Sequence, residues 1–205
     1  MKKINLLFII LLAPIILFAQ GIEIVPFTGY QFGGKIDYYE GKIKIYDGQN
    51  YGVSIFVPMQ ANIDLELNYT RLGSQITFSP HHVGSDYYYR ESSVFTNYFQ
   101  IGVLNKLRLP NEKIIPFGSI SLGATWFDTK DFGDMWMFSV VLGGGIKVMF
   151  SKWIGIIGRG RLMMPIQFGG VSFYAGTGGS GMSANSNVAP IQGDFNLGLL
   201  LKLGK

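Results

Sequence analysis

The sequence predicts an all-β protein, an eight-stranded antiparallel up-and-down barrel that crosses a lipid bilayer, with short turns at one end and long loops at the other. Three observations carry this expectation. Eight stretches alternate apolar and polar residues, the period of strands with two unlike faces. The gaps between those stretches alternate short and long, as in membrane barrels. The alternation starts only after an apolar N-terminal leader.

Lys2 and Lys3 form a positive n-region, and Leu6 to Phe18 an apolar h-region of 13 residues. Ala19 and Gln20 then precede the first strand-like stretch. This is the pattern of a secretory signal peptide spanning 1–19, with cleavage after Ala19 or Gln20 and a barrel domain over 20–205. The apolar run is shorter than the roughly 20 residues a spanning helix requires, and Pro14 interrupts it. No later stretch reaches that length without a charge or a Gly-rich break.

The strands follow in order. The first runs from about Glu23 to Phe32, with Ile24, Thr28, Tyr30 and Phe32 on one face. In the second, Tyr51, Val53, Ile55 and Val57 oppose Gly52, Ser54 and Phe56. The third sets Ile63, Leu65, Leu67 and Tyr69 against Asn62, Asp64, Glu66, Asn68 and Thr70. In the fourth, Phe95, Phe99, Ile101, Val103, Leu107 and Leu109 oppose Thr96, Tyr98, Gln100, Gly102, Lys106 and Arg108. The fifth sets Ile120, Leu122, Ala124 and Trp126 against small polar residues, and the sixth sets Phe138, Val140, Leu142, Ile146 and Val148 against Ser139, Gly143, Gly145 and Lys147. The seventh carries Arg159 and Arg161 opposite Ile154, Ile156, Leu162 and Met164. In the last, Phe195, Leu197, Leu199, Leu201 and Leu203 alternate with Asn196, Gly198, Leu200 and Lys202.

Tight links are expected at Pro58-Met59-Gln60, Pro110 to Lys113 and Ser151-Lys152, and long ones over 33–50, 71–94 and 165–193. Outer-membrane barrels have this asymmetry, with the short turns in the periplasm. A soluble eight-stranded barrel also alternates, but it keeps charges outside and apolar residues inside. Here one phase is continuous and apolar with aromatic ends, suited to lipid. The other is rich in Gly, Ser and Asn, suited to a narrow interior. A spanning sheet must also close on itself to satisfy its backbone hydrogen bonds.

The chain resembles the small outer-membrane β-barrel family, the OmpX-like and OmpA membrane-domain type often labelled porin-like. The likeness lies in the first strand from Ile24 to Gly34, the mid-strand glycines of the fourth to seventh strands, and the ending Asn196-x-Gly198-x-x-Leu201-x-Leu203. It implies insertion into a Gram-negative outer membrane, with Asn196, Gly198, Leu201 and Leu203 as the assembly signal read by the barrel-insertion machinery. The family often ends in an aromatic residue, whereas Gly204 and Lys205 follow Leu203 here. Outer-membrane lipid is the expected surrounding, and the expected state is a monomer.

Six charges fall on the interior phase: Asp64, Glu66, Lys106, Lys147, Arg159 and Arg161. An eight-stranded barrel has just enough room inside for side chains to fill it. Unpaired charges there cost several kcal/mol, so the six are expected to pair into a structural plug that Glu66→Ala destabilises. The alternative is a narrow anion-preferring channel lined by the positive excess.

Other motifs carry less chemistry. His81-His82 with Asp86 and Glu91 matches no metal spacing, and Ser79 and Ser85 have nothing to orient them for the nucleophilic chemistry of a lipid-modifying enzyme. Gly176-Thr177-Gly178-Gly179-Ser180-Gly181 matches GxGxxG but lacks the strand-to-helix context, and a flexible loop is expected there. Zero Cys excludes disulfides, thiolate metal sites, a Cys nucleophile and a lipid-modified Cys. Removing Lys2 and Lys3 from 17 Lys and Arg leaves 15 against 13 Asp and Glu, too balanced for nucleic acid. Neither catalytic nor metal residues nor a cofactor are expected. Tyr30, Phe32, Tyr51, Tyr69, Phe95, Trp126, Trp136 and Phe195 should form one aromatic girdle, with Phe150 and Trp153 at the other edge. The expected role is structural, surface-interacting or adhesive through the outer loops, with Tyr87-Tyr88-Tyr89-Arg90 as one possible surface for an extracellular ligand.

Overall fold

The computed structural model describes residues 21–37, 41–80, 90–107, 113–129, 135–176, 179–188 and 191–204. Its strands are β1 (Ile22–Phe32), β2 (Gly34–Asp37), β3 (Gly41–Ile45), β4 (Gly48–Pro58), β5 (Ile63–Pro80), β6 (Arg90–Lys106), β7 (Ile114–Thr129), β8 (Met135–Met149), β9 (Ile154–Gly176), β10 (Gly179–Val188) and β11 (Gln192–Leu203). Eight of them close a barrel in the order β5-β4-β1-β11-β9-β8-β7-β6, with β6 returning to β5. Every pairing in it is antiparallel. β1 lies between β4 and β11, so the first and last strands form a seam, with Thr28 opposite both Leu197 and Tyr51.

One end carries the tight links. At 59–62 the backbone N–H groups of Met59 and Gln60 donate to the Ile63 carbonyl, each at 3.0 Å. At 150–153 the Ser151 hydroxyl accepts from the backbone N–H groups of Trp153 at 3.2 Å and Ile154 at 3.1 Å, fixing the turn locally. Both described ends of the chain, Gly21 and Gly204, lie at this rim.

The other end differs from expectation. The gaps 33–50, 71–94 and 165–193 are largely strand rather than loop. β5 continues into the second to Pro80, β2 and β3 in the first form a hairpin laid on its upper half, and β10 in the third pairs with the upper half of β9. In the GxGxxG stretch, expected as a loop, Gly176 closes β9 and Gly179 to Gly181 open β10, while 177 and 178 lie outside the described residues. A strand rises about 3.3 Å per residue and tilts about 45° in such barrels, so about eleven residues cross the apolar band. With 18 residues in β5 and 23 in β9, the wall stands well clear of that band on the long-loop side.

The outer wall is apolar. Leu67, Ile101, Val103, Ile120, Leu122, Leu142, Ile146, Ile156, Leu197 and Leu199 are all exposed on it. Around its long-loop edge run aromatic contacts: Phe195 to Phe32 at 6.2 Å, Phe32 to Tyr30 at 5.4 Å, Tyr69 to Phe99 at 5.1 Å, and Trp126 stacked on Trp136 at 5.5 Å. Phe150 and Trp153 are exposed at the opposite rim. An exposed apolar belt of this extent fits hydrocarbon, not water. Ile120, level with Val103 on β6 and Leu142 on β8, lies mid-belt. Ile120→Arg is therefore expected to destabilise the barrel in lipid vesicles by about 2–4 kcal/mol in denaturant titration. A water-facing wall would tolerate that change.

Candidate functional site

The chemistry-bearing side chains converge inside the barrel, because every strand turns its polar phase inward. The short-turn end is floored by an apolar cluster of Val25, Phe56, Leu104, Phe117, Ile157 and Leu200. Threaded through it, Lys147 bonds Glu23 at 2.6 Å and Asp64 at 3.3 Å, while Lys106 bonds the other Asp64 oxygen at 2.6 Å. The Lys147 ammonium also sits 4.2 Å over the Phe56 ring.

One layer up, the Arg159 guanidinium donates to Glu66 at 2.6 Å, Ser54 at 2.8 Å and Asn196 at 2.7 Å. Above it, Arg161 grips Asp194 with two nitrogens, at 3.1 and 2.5 Å, and donates to Asn68 and Thr70, each at 3.1 Å. Asp194 also accepts from Asn50 at 2.7 Å and Asn196 at 3.2 Å. Both guanidinium groups lie over Phe27, at 4.6 and 5.2 Å from its centroid. Charge-assisted and bidentate bonds of this kind are the strong class, and here water is excluded from them. Higher still, Gln31 donates to Gln192, Asn50 donates to Gln31, and the Tyr98 hydroxyl donates to Gln192. A second apolar cluster of Ile45, Val94, Phe127 and Met137 lies beyond, toward the long-loop end.

All six interior charges singled out in the sequence are in this network. Sequence reasoning missed two members, Glu23 and Asp194. Strand parity was the available signal: Glu23 is in phase with Val25, and Asp194 with Asn196. With them, among the described residues, the four cations of this network face four carboxylates and its positive excess disappears. Of the C-terminal residues, Asn196 and Gly198 point inward and Leu201 and Leu203 outward. A Cβ at Gly198 would lie 2.5 Å from a Val25 methyl. Ser79 lies in β5 and Glu91 in β6. His81, His82, Ser85, Asp86 and Tyr87 to Tyr89 fall outside the described residues, as does the leader. Among the described residues no group of three His, Asp or Glu side chains could hold a metal ion.

No protein-family model matches the sequence, and no curated protein matches it. Solved structures do. Neisserial surface protein A (NspA) superposes with a TM-score of 0.56 at 10% identity, over 88% of this chain and 96% of that one. Ail, the attachment invasion locus protein of Yersinia pestis, in complex with the heparin analogue sucrose octasulfate, gives 0.49 at 10% identity over 90% and 99%. The N-terminal β-barrel domain of Pseudomonas aeruginosa OprF gives 0.43 at 14% identity over 89% and 100%. The fold is that of the small outer-membrane β-barrels.

Proposed function

We propose that this chain is an integral outer-membrane protein, non-enzymatic, whose barrel is a closed anchor and whose strand-built outer rim presents a surface for an extracellular partner. The filled, charge-balanced interior carries this reading. Tyr98, Phe56 and Leu104 are fully buried across the bore, and among the described residues the four cations within it, Lys106, Lys147, Arg159 and Arg161, each have a carboxylate partner. Such a bore offers an ion neither a path nor a selective charge. The extension of β5, β9 and β10 beyond the apolar belt then leaves the rim as the accessible surface.

The exported state assigned to the leader, and a C-terminal strand read by the insertion machinery through Asn196, Gly198, Leu201 and Leu203, belong to the same reading. The outward leucines lie on β11 beside the seam with β1, where closure is completed. A channel is the second reading. Asn50, Gln100, Gln192, Thr96 and Thr125 each keep a buried polar atom without a protein partner, a layer that water would fill. That layer ends on the ion pairs below it.

Two measurements test the assignment together. Purified protein in a planar bilayer should give no stable single-channel steps; regular steps overturn the closed anchor. Cells displaying the protein should bind immobilised matrix glycans or proteins, and should lose binding when 81–89 is replaced by a short Gly-Ser link. Binding unchanged by replacement of each outer segment in turn overturns the rim.

A further inference from the structure

The four internal cations and four carboxylates neutralise one another, but among the described residues the short-turn mouth below them carries further lysines. Lys113, Lys152 and Lys202 line one cavity of about 960 Å³ there. The carboxylates facing this end from the strands, Glu23 and Asp64, are already taken by Lys147 and Lys106. Lys202 stands opposite Glu23 in the β1–β11 register, yet the Glu23 carboxylate turns to Lys147. Among the described residues neither Lys152 nor Lys202 has a carboxylate partner.

Apart from Ser151 and Gly204, the rest of the lining is apolar. Met149 comes from the end of β8, and Phe150 and Trp153 from the turn to β9. Phe150 and Trp153 are 66% and 47% exposed and sit at the edge of the lipid-facing belt. The Trp153 carbonyl accepts the backbone N–H of Lys202 at 2.8 Å, so the aromatic rim and one of the lysines are fixed to each other. A ligand that satisfies this lining has an anionic part for the ammonium groups and an apolar part for the aromatic rim. It is an amphiphile.

We propose that this mouth binds the phosphate headgroup of an anionic phospholipid of the inner leaflet, with Lys152 and Lys202 on the phosphate and Phe150 and Trp153 against the acyl chains. Clustered ammonium groups beside an aromatic belt are what anionic-lipid recognition uses. The proposal rests on the membrane placement but not on the outer-rim function.

Full-length protein is reconstituted in vesicles of phosphatidylcholine and phosphatidylglycerol, extracted in mild detergent, and its retained lipids are read by native mass spectrometry. Only folded, heat-modifiable protein enters the comparison, so a failure of membrane placement shows separately. Phosphatidylglycerol should be retained over phosphatidylcholine. Retention should fall about fivefold for each ammonium removed, in Lys152→Gln and then Lys152→Gln/Lys202→Gln. Lys152 lies in an exposed turn, so the single variant keeps the test readable where the double fails to fold. Equal retention of the two lipids, or retention unmoved by Lys152→Gln, overturns the site. Glycerol 3-phosphate lacks acyl chains and should not displace the lipid. Displacement at equal concentration would instead mark a site for free anions and overturn the lipid assignment.

Discussion

Glu66→Ala is expected to destabilise the folded barrel by about 3–5 kcal/mol, because it strands the Arg159 guanidinium in a dry interior. The size follows from geometry. The Arg159–Glu66 pair is 2.6 Å long, and its side chains are only 2% and 4% exposed. The phenyl ring of Phe27 lies under the guanidinium and offers no second carboxylate. Asp194 is held by Arg161, and Asp64 by Lys147 and Lys106. Denaturant titration of vesicle-inserted protein, followed by tryptophan emission, measures the loss. In Glu66→Ala/Arg159→Met no charge is left unpaired, so the double variant should be less destabilised than Glu66→Ala alone. A neutral Glu66→Ala would mean that water reaches and screens the guanidinium. The closed interior would then be wrong, and the channel reading would gain the hydrated path it lacks.

How much of this was legible in the sequence differs by level. Face assignment was legible wherever the two phases differ in chemistry. Ile63 to Thr70 alternates charge with leucine, and β5 there turns Asp64 and Glu66 inward and Leu67 outward. The upper parts of β5, β9 and β10 were not legible. Stretches such as Gly73-Ser74-Gln75 and Gly179-Ser180-Gly181 have little apolar contrast, and the same composition serves loops as well as it serves a ribbon standing in water. The ion-pair partners were legible only as a set. The stagger of a closed barrel decides which inward residues meet, and that brings Lys147 onto Asp64 and onto Glu23, 83 and 124 residues away. Residue heights counted from the turns suggest a shared layer but not that chain of contacts. The neutrality of the interior, which weighs against an anion channel, depended on Glu23 and Asp194 at the ends of their strands.

A loss of comparable size is expected from one methyl group. At Gly145, on the inward phase of β8, a Cβ would lie 2.2 Å from the Gly158 carbonyl oxygen and 2.8 Å from both Cα and Cβ of Arg159. The obstacle is mostly backbone of the paired strand β9, in register with Gly145 opposite Arg159, so no rotamer change relieves it. Gly145→Ala must therefore part β8 from β9 or push Arg159 off Glu66. A closed sheet has no free edge where the displacement could dissipate, and a lost ladder bond in the apolar belt finds no water to replace it. The expected cost exceeds about 3 kcal/mol, at the upper end for overpacking, and the heat-modifiable band on a gel should be lost or strongly reduced. Gly118, on the outward phase of β7, is the control. A Cβ there meets nothing within 4 Å, and the residue faces the lipid. Gly118→Ala should leave the band and the denaturation midpoint unchanged or slightly raised, since it lowers the chain entropy of the unfolded state without a clash. If the two alanines behave alike, the close approach of β8 and β9 is wrong, and with it the placement of Arg159 against Glu66.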